Sequence, residues 1–251
     1  MVPKEERALR KLTAEDIEQL AQSPLFYGLD RSVLQEIAPL LDVEQWPSRQ
    51  VVMAPEATCR RFYILLQGRV KITRQNLETG RELSLFLLGP GDGFNIVSLL
   101  DGGRHEVIAV TLDPVIAVSV PIATWHNWLD SYPCLRNAMR HYIDQQMRQL
   151  SELATDLALH DTMARLAHLI LHNYEQSRAN PRRDLLHGLS HEELAHLIGT
   201  VRVVVNRLLK ELREEGVIEY QGGEMHVLNL QKLLRKAERE LDQNRTRELF
   251  K

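Results

Sequence analysis

Cysteine is nearly missing from this chain. Cys59 and Cys134 are the only two in 251 residues, too few for a disulfide framework or for a four-thiolate zinc or iron–sulfur site built within one chain. A long apolar run is missing as well. The nearest to one, residues 107–123, is broken by Asp113-Pro114 and by Pro121, and it falls short of the roughly 20 apolar residues needed to cross a bilayer. The opening MVPKEERALRKL mixes acids with bases and leads into no apolar segment, so no secretory signal and no membrane partner are expected. Neither a glycine-rich phosphate loop nor a G-x-S-x-G elbow is present, which removes two common catalytic frameworks. Large charge imbalance is absent too: the formal net charge is −3. It is unevenly placed, since residues 178–251 carry 14 Lys and Arg against 12 Asp and Glu. With 44% hydrophobic residues the chain has the means for a sizeable core, and its length allows one large domain or two ordinary ones. These features predict a cytoplasmic location.

Residues 4–22 and 30–41 have helical spacing, the second with Val33, Leu34, Ile37, Leu40 and Leu41 on one side. Residues 43–120 change to short β-branched and aliphatic runs punctuated by Gly, Pro and Asp, a texture that predicts about eight strands in an all-β barrel or sandwich. Gly68 divides one run, Thr79-Gly80 makes a hairpin tip, and Gly89-Pro90-Gly91-Asp92 makes a turn. Helical periodicity returns over residues 122–129 and again from Pro133 to about His160. In the longer segment Ile143, Met147, Leu150, Ala154 and Leu157 recur at spacings of four, three, four and three. This heptad seam calls for a partner helix, for which a second copy of the chain is favoured over the alternative that the helix packs on the chain's own barrel. A helix over residues 161–174 and a loop at SRANPRRD follow.

Residues 190–212 carry the most information. Ser190 with Glu193 three residues on forms a capping box. Gly199 ends a helix of about eight residues, and a second of about thirteen begins at Thr200 or Val201. Two helices across a tight turn, with the small Ala195 at the crossing, predict a helix-turn-helix. Taking 100° per residue from Arg202, the residues Arg213, Asn206, Lys210, Val203 and Arg207 fall at about 20°, 40°, 80°, 100° and 140°, while Val201, Val205, Leu208 and Leu212 lie on the far side. The outer face is thus cationic and amide-bearing, with one valine. Its acids, Glu211, Glu214 and Glu215, all come late, whereas a solvated surface helix usually interleaves acids throughout. Residues 217–228 alternate around Gln221-Gly222-Gly223 and predict a two-stranded wing. A charged helix from Leu230 to about Phe250 closes the chain.

The segment LSHEELAHLIGTVRVVVNRLLKELREEGVIEY resembles the winged helix-turn-helix of the cyclic-AMP receptor protein and fumarate–nitrate regulator (Crp-Fnr) superfamily of bacterial transcription factors. FYILLQGRVKI and FLLGPGDGF resemble that family's cyclic-nucleotide-binding barrel, and the long helix resembles its dimerisation helix. The likeness covers nearly the whole chain, in order. It implies an α+β protein: an N-terminal jelly-roll β-barrel sensory domain over residues 1–130, a dimerisation helix over 131–160, and a winged helix-turn-helix over 161–251. It further implies a homodimer on an inverted-repeat operator in double-stranded DNA, with RNA polymerase as a further partner. Ser190, Thr200, Arg202, Val203, Asn206, Arg207, Lys210 and Arg213 are the expected DNA-binding residues. Arg202 stands where the family reads guanine, through bidentate bonds to O6 and N7, but the glutamate that usually follows is replaced by Val203.

The effector segment also departs from the family. Members that bind cyclic AMP carry a ribose-binding glutamate after the FLLGPGDG-like turn and an arginine-serine pair beyond it. Here Ile96 stands in the first place and Glu106-Val107 near the second, with Arg104 two residues early. An acid facing a phosphate repels it, so cyclic AMP is not expected. Phe94, Asn95, Ile96, Val97, Arg104 and His105 are the candidate pocket residues for some other effector. Because some members of the family are haem-based gas sensors, haem is kept as an alternative cofactor. His105, His126, His141, Cys59 and Cys134 have the chemistry of axial ligands, and no spacing selects among them.

Two rivals come from other classes. The run His191-Glu192-Glu193-Leu194-Ala195-His196 invites comparison with the zinc-protease HExxH helix, but its histidines are at i and i+5, about 140° apart, where a shared metal needs i and i+4. No catalytic site and no metal site are therefore assigned. The second rival is a ligand-binding module whose C-terminal part contacts protein, which would lack the salt-dependent affinity for random DNA that a DNA binder shows.

Overall fold

The computed structural model describes residues 11–54, 60–103, 106–221 and 224–238. These residues form two compact units. One comprises the chain up to Arg74 with Phe86–Met147; the other comprises Gln75–Leu85 and the chain from Arg148 onward.

The first unit opens with α1 (Ala14–Ala21) and α2 (Arg31–Ile37). Thr13 begins α1 through a reciprocal capping box: its hydroxyl accepts from the Asp16 amide while the Asp16 carboxylate accepts from the Thr13 amide at 2.7 Å. Of the helix expected over 4–22, residues 4–10 lie outside the described residues. Eight strands follow: β1 (Asp42–Trp46), β2 (Val51–Met53), β3 (Arg61–Gln67), β4 (Val70–Gln75), β5 (Glu82–Leu88), β6 (Gly93–Phe94), β7 (Ile108–Thr111) and β8 (Val115–Pro121). They pair in two four-stranded sheets, ordered β1-β8-β3-β6 and β2-β7-β4-β5. The expected jelly roll is present, but its sheets stay separate and do not close into a barrel.

Two apolar clusters explain this layering. Leu65, Phe94, Val115 and Ala117 from the first sheet meet Met53, Val70, Ile72, Leu88 and Ala109 from the second, filling the space between them. On the other face of the first sheet, Phe62, Ile64, Leu66, Val118 and Val120 pack with Leu20, Leu25, Phe26, Trp125, Trp128 and Tyr142. The period-2 alternation along β3 thus sends Phe62, Ile64 and Leu66 one way and Leu65 the other. Trp125 is fully buried with its ring 4.8 Å from that of Phe62; truncating a side chain so placed costs about 3–5 kcal/mol.

A short helix α3 (Ile96–Asp101) interrupts the strands, and α4 (Ile122–Ser131) and α5 (Pro133–Leu159) follow them. The 27 residues of α5 span about 40 Å. Leu135, Ala138, Met139 and Tyr142 bury its first part in the first unit.

The second unit contains α6 (Thr162–Ala179), α7 (His191–Leu197), α8 (Arg202–Glu214), the hairpin of β9 (Ile218–Gln221) with β10 (Glu224–Val227), and α9 (Leu230–Ala237). Ala164, Leu166, Ala167 and Ile170 of α6 form its centre with Leu194, Val205, Leu209, Val217 and Leu233. Ser177, Arg178 and Ala179, expected in a loop, continue α6; the chain leaves the helix only at Asn180, before Pro181. The expected last helix, from Leu230 to about Phe250, is observed over Leu230–Ala237 with Glu238 as its capping residue, and residues 239–250 lie outside the described residues.

Candidate nucleic-acid interface

Ser190 sets the start of α7 as its spacing predicts. Its hydroxyl accepts from the Glu193 amide at 3.2 Å, and the Glu193 carboxylate accepts from the Ser190 amide at 2.7 Å. At the other end Gly199 adopts φ +65°, a left-handed conformation that glycine reaches without strain. The Thr200 amide then donates to the Ala195 carbonyl at 2.9 Å. This closes the tight turn and leaves Val201 to cap α8. Space is tight here as well, since a Cβ at residue 199 would lie 2.5 Å from Leu157 Cδ2 and that side chain would have to shift.

The buried side of α8 is Val205, Leu208, Leu209 and Leu212. Two positions differ from the helical-wheel expectation. Val201 is more than half exposed, because as the capping residue its extended backbone lies outside the helical phase. Leu209, at about 340° on the same wheel, is fully buried, so the core arc reaches close to Arg202. The exposed face is therefore centred near Val203, whose side chain is 76% exposed.

Around that valine, Arg202, Asn206, Arg207, Lys210 and Arg213 are all exposed. Among the described residues, Arg202 and Arg207 have no hydrogen-bond or ion-pair partner, which leaves both guanidinium forks available. Lys210 lies 3.6 Å from the Glu214 carboxylate, an exposed pair one turn apart that is worth a few tenths of a kcal/mol. The amide of Asn206 is hydrogen-bonded to the His191 ring, tying α8 to the start of α7. Arg213 stacks over the ring of wing residue Tyr220, 6.0 Å from its centroid. Burial raises the Tyr220 pKa, and the neighbouring Arg213 opposes that rise.

The acids of α8 are managed by α9. Lys236 donates to Glu211 at 2.8 Å and to Glu215 at 2.7 Å. Desolvation pulls the Lys236 pKa down, but the two carboxylates outweigh it and the net direction is up. Two of the three late glutamates are thus neutralised by a neighbouring helix. Lys236 was missed in the sequence, because its partners lie 25 and 21 residues away and only the fold joins them.

In the first unit the candidate effector segment sits between β6 and α3. Phe94 is buried and stacked on Tyr63, with centroids 4.8 Å apart. Asn95 takes a left-handed φ of +74° and donates to the Arg61 carbonyl at 2.8 Å. Ile96 is half-buried against the apolar cluster, and Val97 is exposed. Arg104 and His105 lie outside the described residues. Glu106 pairs with Arg74. The segment thus carries an aliphatic side chain at residue 96 and, at residue 106, an acid held by an arginine. Of the expected axial ligands, Cys59 and His105 are outside the described residues, His126 and His141 are exposed, and Cys134 is half-buried. No helix among the described residues is long and apolar enough to cross a membrane.

Comparison with known proteins matches both parts of the chain to family models. Residues 43–132 match the cyclic nucleotide-binding domain, and residues 164–236 match the Crp-like helix-turn-helix domain. The chain is 32% identical over 195 residues to the global nitrogen regulator of Synechococcus elongatus, covering 75% of this chain and 86% of that protein. It is 28% identical over 222 residues to the CRP-like cAMP-activated global transcriptional regulator of Mycobacterium tuberculosis, covering 88% and 99% respectively. Among solved structures, the c-di-GMP responsive global regulator CLP of Xanthomonas campestris superposes with a TM-score of 0.66 at 20% identity, covering 80% of this chain and 100% of that one; at that identity the likeness shows the fold.

Proposed function

This chain belongs to the Crp-Fnr superfamily of transcription regulators, and on that premise we propose that it binds an inverted-repeat operator as a homodimer, answering to an effector other than cyclic AMP. The protein is a DNA-binding regulator of the Crp-Fnr type and not an enzyme. The observation that carries the operator reading is the outer face of α8. Arg202 and Arg207 stand exposed and unpartnered among the described residues, Val203 lies between them, and Glu211 and Glu215 are held by Lys236. An arginine reads guanine through two parallel hydrogen bonds in the major groove, and a valine offers methyl groups to the C5-methyl of thymine. Two such helices related by a two-fold axis occupy successive major grooves about 34 Å apart.

The dimer reading rests on α5, where Met147 is 62% exposed and Leu150 half-buried along one apolar seam. The effector reading rests on Ile96 and on the Glu106–Arg74 pair. A cytoplasmic location and contact with RNA polymerase follow from the same proposal.

The test is binding-site selection from random duplexes with wild type, Arg202→Ala and Val203→Glu. Arg202→Ala is expected to weaken binding by about 1–3 kcal/mol and to relax preference at one guanine. Val203→Glu is expected to shift the adjacent position toward cytosine, because its carboxylate accepts from N4. If both variants select the wild-type motif, α8 does not read bases and the proposal fails.

A further inference from the structure

Asp156 lies in the last turn of α5, and His160 follows it four residues on, just past the helix end at Leu159. Only His160 and Asp161 separate α5 from α6, and Asp161 caps α6 by accepting from the Ala164 amide at 2.8 Å. The reversal brings His168, on the second turn of α6, back onto the same carboxylate. Asp156 Oδ1 lies 2.9 Å from His160 Nδ1 and 2.8 Å from His168 Nδ1. The two imidazoles meet edge to face, their centroids 4.8 Å apart. All three side chains are partly buried, at 22%, 22% and 33% exposure for Asp156, His160 and His168. Each offers a ligand atom, and these atoms lie within 4.8 Å of one another.

From this juxtaposition we propose that Asp156, His160 and His168 bind a first-row divalent transition metal ion of the zinc class, pinning the last turn of α5 to the second turn of α6. The donor set decides the class. Two neutral imidazole nitrogens and one carboxylate oxygen suit zinc, cobalt, nickel or ferrous iron, whereas calcium and magnesium demand oxygen donors throughout. The geometry is near what such an ion needs. Ligand atoms about 2.0–2.2 Å from a tetrahedral centre lie roughly 3.3–3.6 Å apart, so the two nitrogens would draw back from the carboxylate by about half an ångström and close on each other from a separation within 4.8 Å. Three protein ligands and partial exposure leave room for water at a fourth position.

The surrounding charge agrees. Arg165 is the cation facing the group; its pKa is lowered by desolvation, which Asp156 and Asp161 counter. Asp156 and Asp161 thus set two carboxylates beside the Arg165 guanidinium. The site is independent of how α8 reads DNA, so it stands or falls separately from the proposed function.

The test uses the full chain, freed of metal by a chelator and carrying no histidine tag. Titration with Zn2+ alone is expected to show one ion per chain. At a hundredfold excess over Kd the melting temperature is expected to rise by about 5–10 °C. Co2+ is expected to give a visible d–d band. Asp156→Asn and His168→Gln are expected to weaken binding about tenfold or more. His226→Gln, which alters the separate surface pairing of His226 with Glu224, is expected to change nothing. Should the weakened variants fold poorly, His168→Cys supplies an independent signature: a thiolate-to-cobalt charge-transfer band that appears only if residue 168 is a ligand. Absence of stoichiometric Zn2+ binding by wild type, which would leave a hydrogen-bonded cluster only, overturns the proposal. So does a cobalt spectrum that persists in the double variant His160→Gln, His168→Gln, or a His168→Cys chain that binds Co2+ without the charge-transfer band.

Discussion

The hydroxyl of Tyr142 clasps both backbone groups of Gly93, accepting from its amide at 3.0 Å and donating to its carbonyl at 3.1 Å. Residue 93 must be small for this, because a Cβ there would lie 2.5 Å from the Phe62 ring. One residue of the long helix α5 thereby fixes the strand that leads into the candidate effector segment. Tyr142→Phe keeps the ring and removes both bonds, leaving a buried amide and carbonyl of Gly93 without that partner. Urea denaturation is expected to show a loss of about 1–3 kcal/mol. A midpoint equal to wild type would mean that water or another group replaces the hydroxyl without loss.

At Gly199 two demands coincide, a positive φ and a close approach of Leu157. Gly199→Ala is expected to destabilise the chain by about 1–2 kcal/mol from backbone conformation alone, with overpacking of about 1–3 kcal/mol added. Adding Leu157→Ala should remove only the steric part, because the backbone is unchanged. Denaturation of the single and double variants separates the two contributions.

The seam on α5 predicts assembly. Leu150→Glu places like charges close together across the two-fold axis of the proposed dimer, and light scattering is expected to show a monomer. A dimer that survives the change places the interface elsewhere.

The Lys236 contacts predict a dependence on alkaline pH. A lysine whose pKa is raised on folding contributes stability that is fully present below its unfolded value of about 10.4. That contribution is lost as pH rises through the folded value. Because Glu211 and Glu215 are each 41% exposed, solvent screening limits it to about 1 kcal/mol or less. The margin of wild type over Lys236→Met in urea denaturation is expected to be level between about pH 7 and pH 9 and to shrink above about pH 10.5.

Local signals carried most of the fold. The Ser190–Glu193 capping box, the Gly199 turn, the break at Gly68 and the GPGD turn each depend on residues a few positions apart, and each stands where its spacing puts it. What was not legible depended on distant neighbours or on phase. Leu209 sits on the wheel beside Arg202, yet it is buried because the core arc of α8 is wider than a four-residue stripe. The end of α6 was placed too early because polar residues on an exposed helical turn look like loop residues in sequence. The pairing of the strands into two open sheets is a matter of long-range register. Asp156 and His160 had the i, i+4 spacing of a shared ligand pair, but the third member, His168, depended on the sharpness of the reversal between two helices.

That reversal leaves no spare chain. The His160 amide donates back to the Asp156 carbonyl at 3.2 Å and the Asp161 side chain caps α6, so both residues of the junction are already committed. A single inserted residue would displace the Asp161 cap and the start of α6 relative to α5 and carry His168 away from Asp156. The hairpin tip between β4 and β5, exposed over residues 76–80, has no such placement to keep. Length variation among homologous chains should therefore collect at that tip and be absent from the helical junction, where only substitutions can be tolerated.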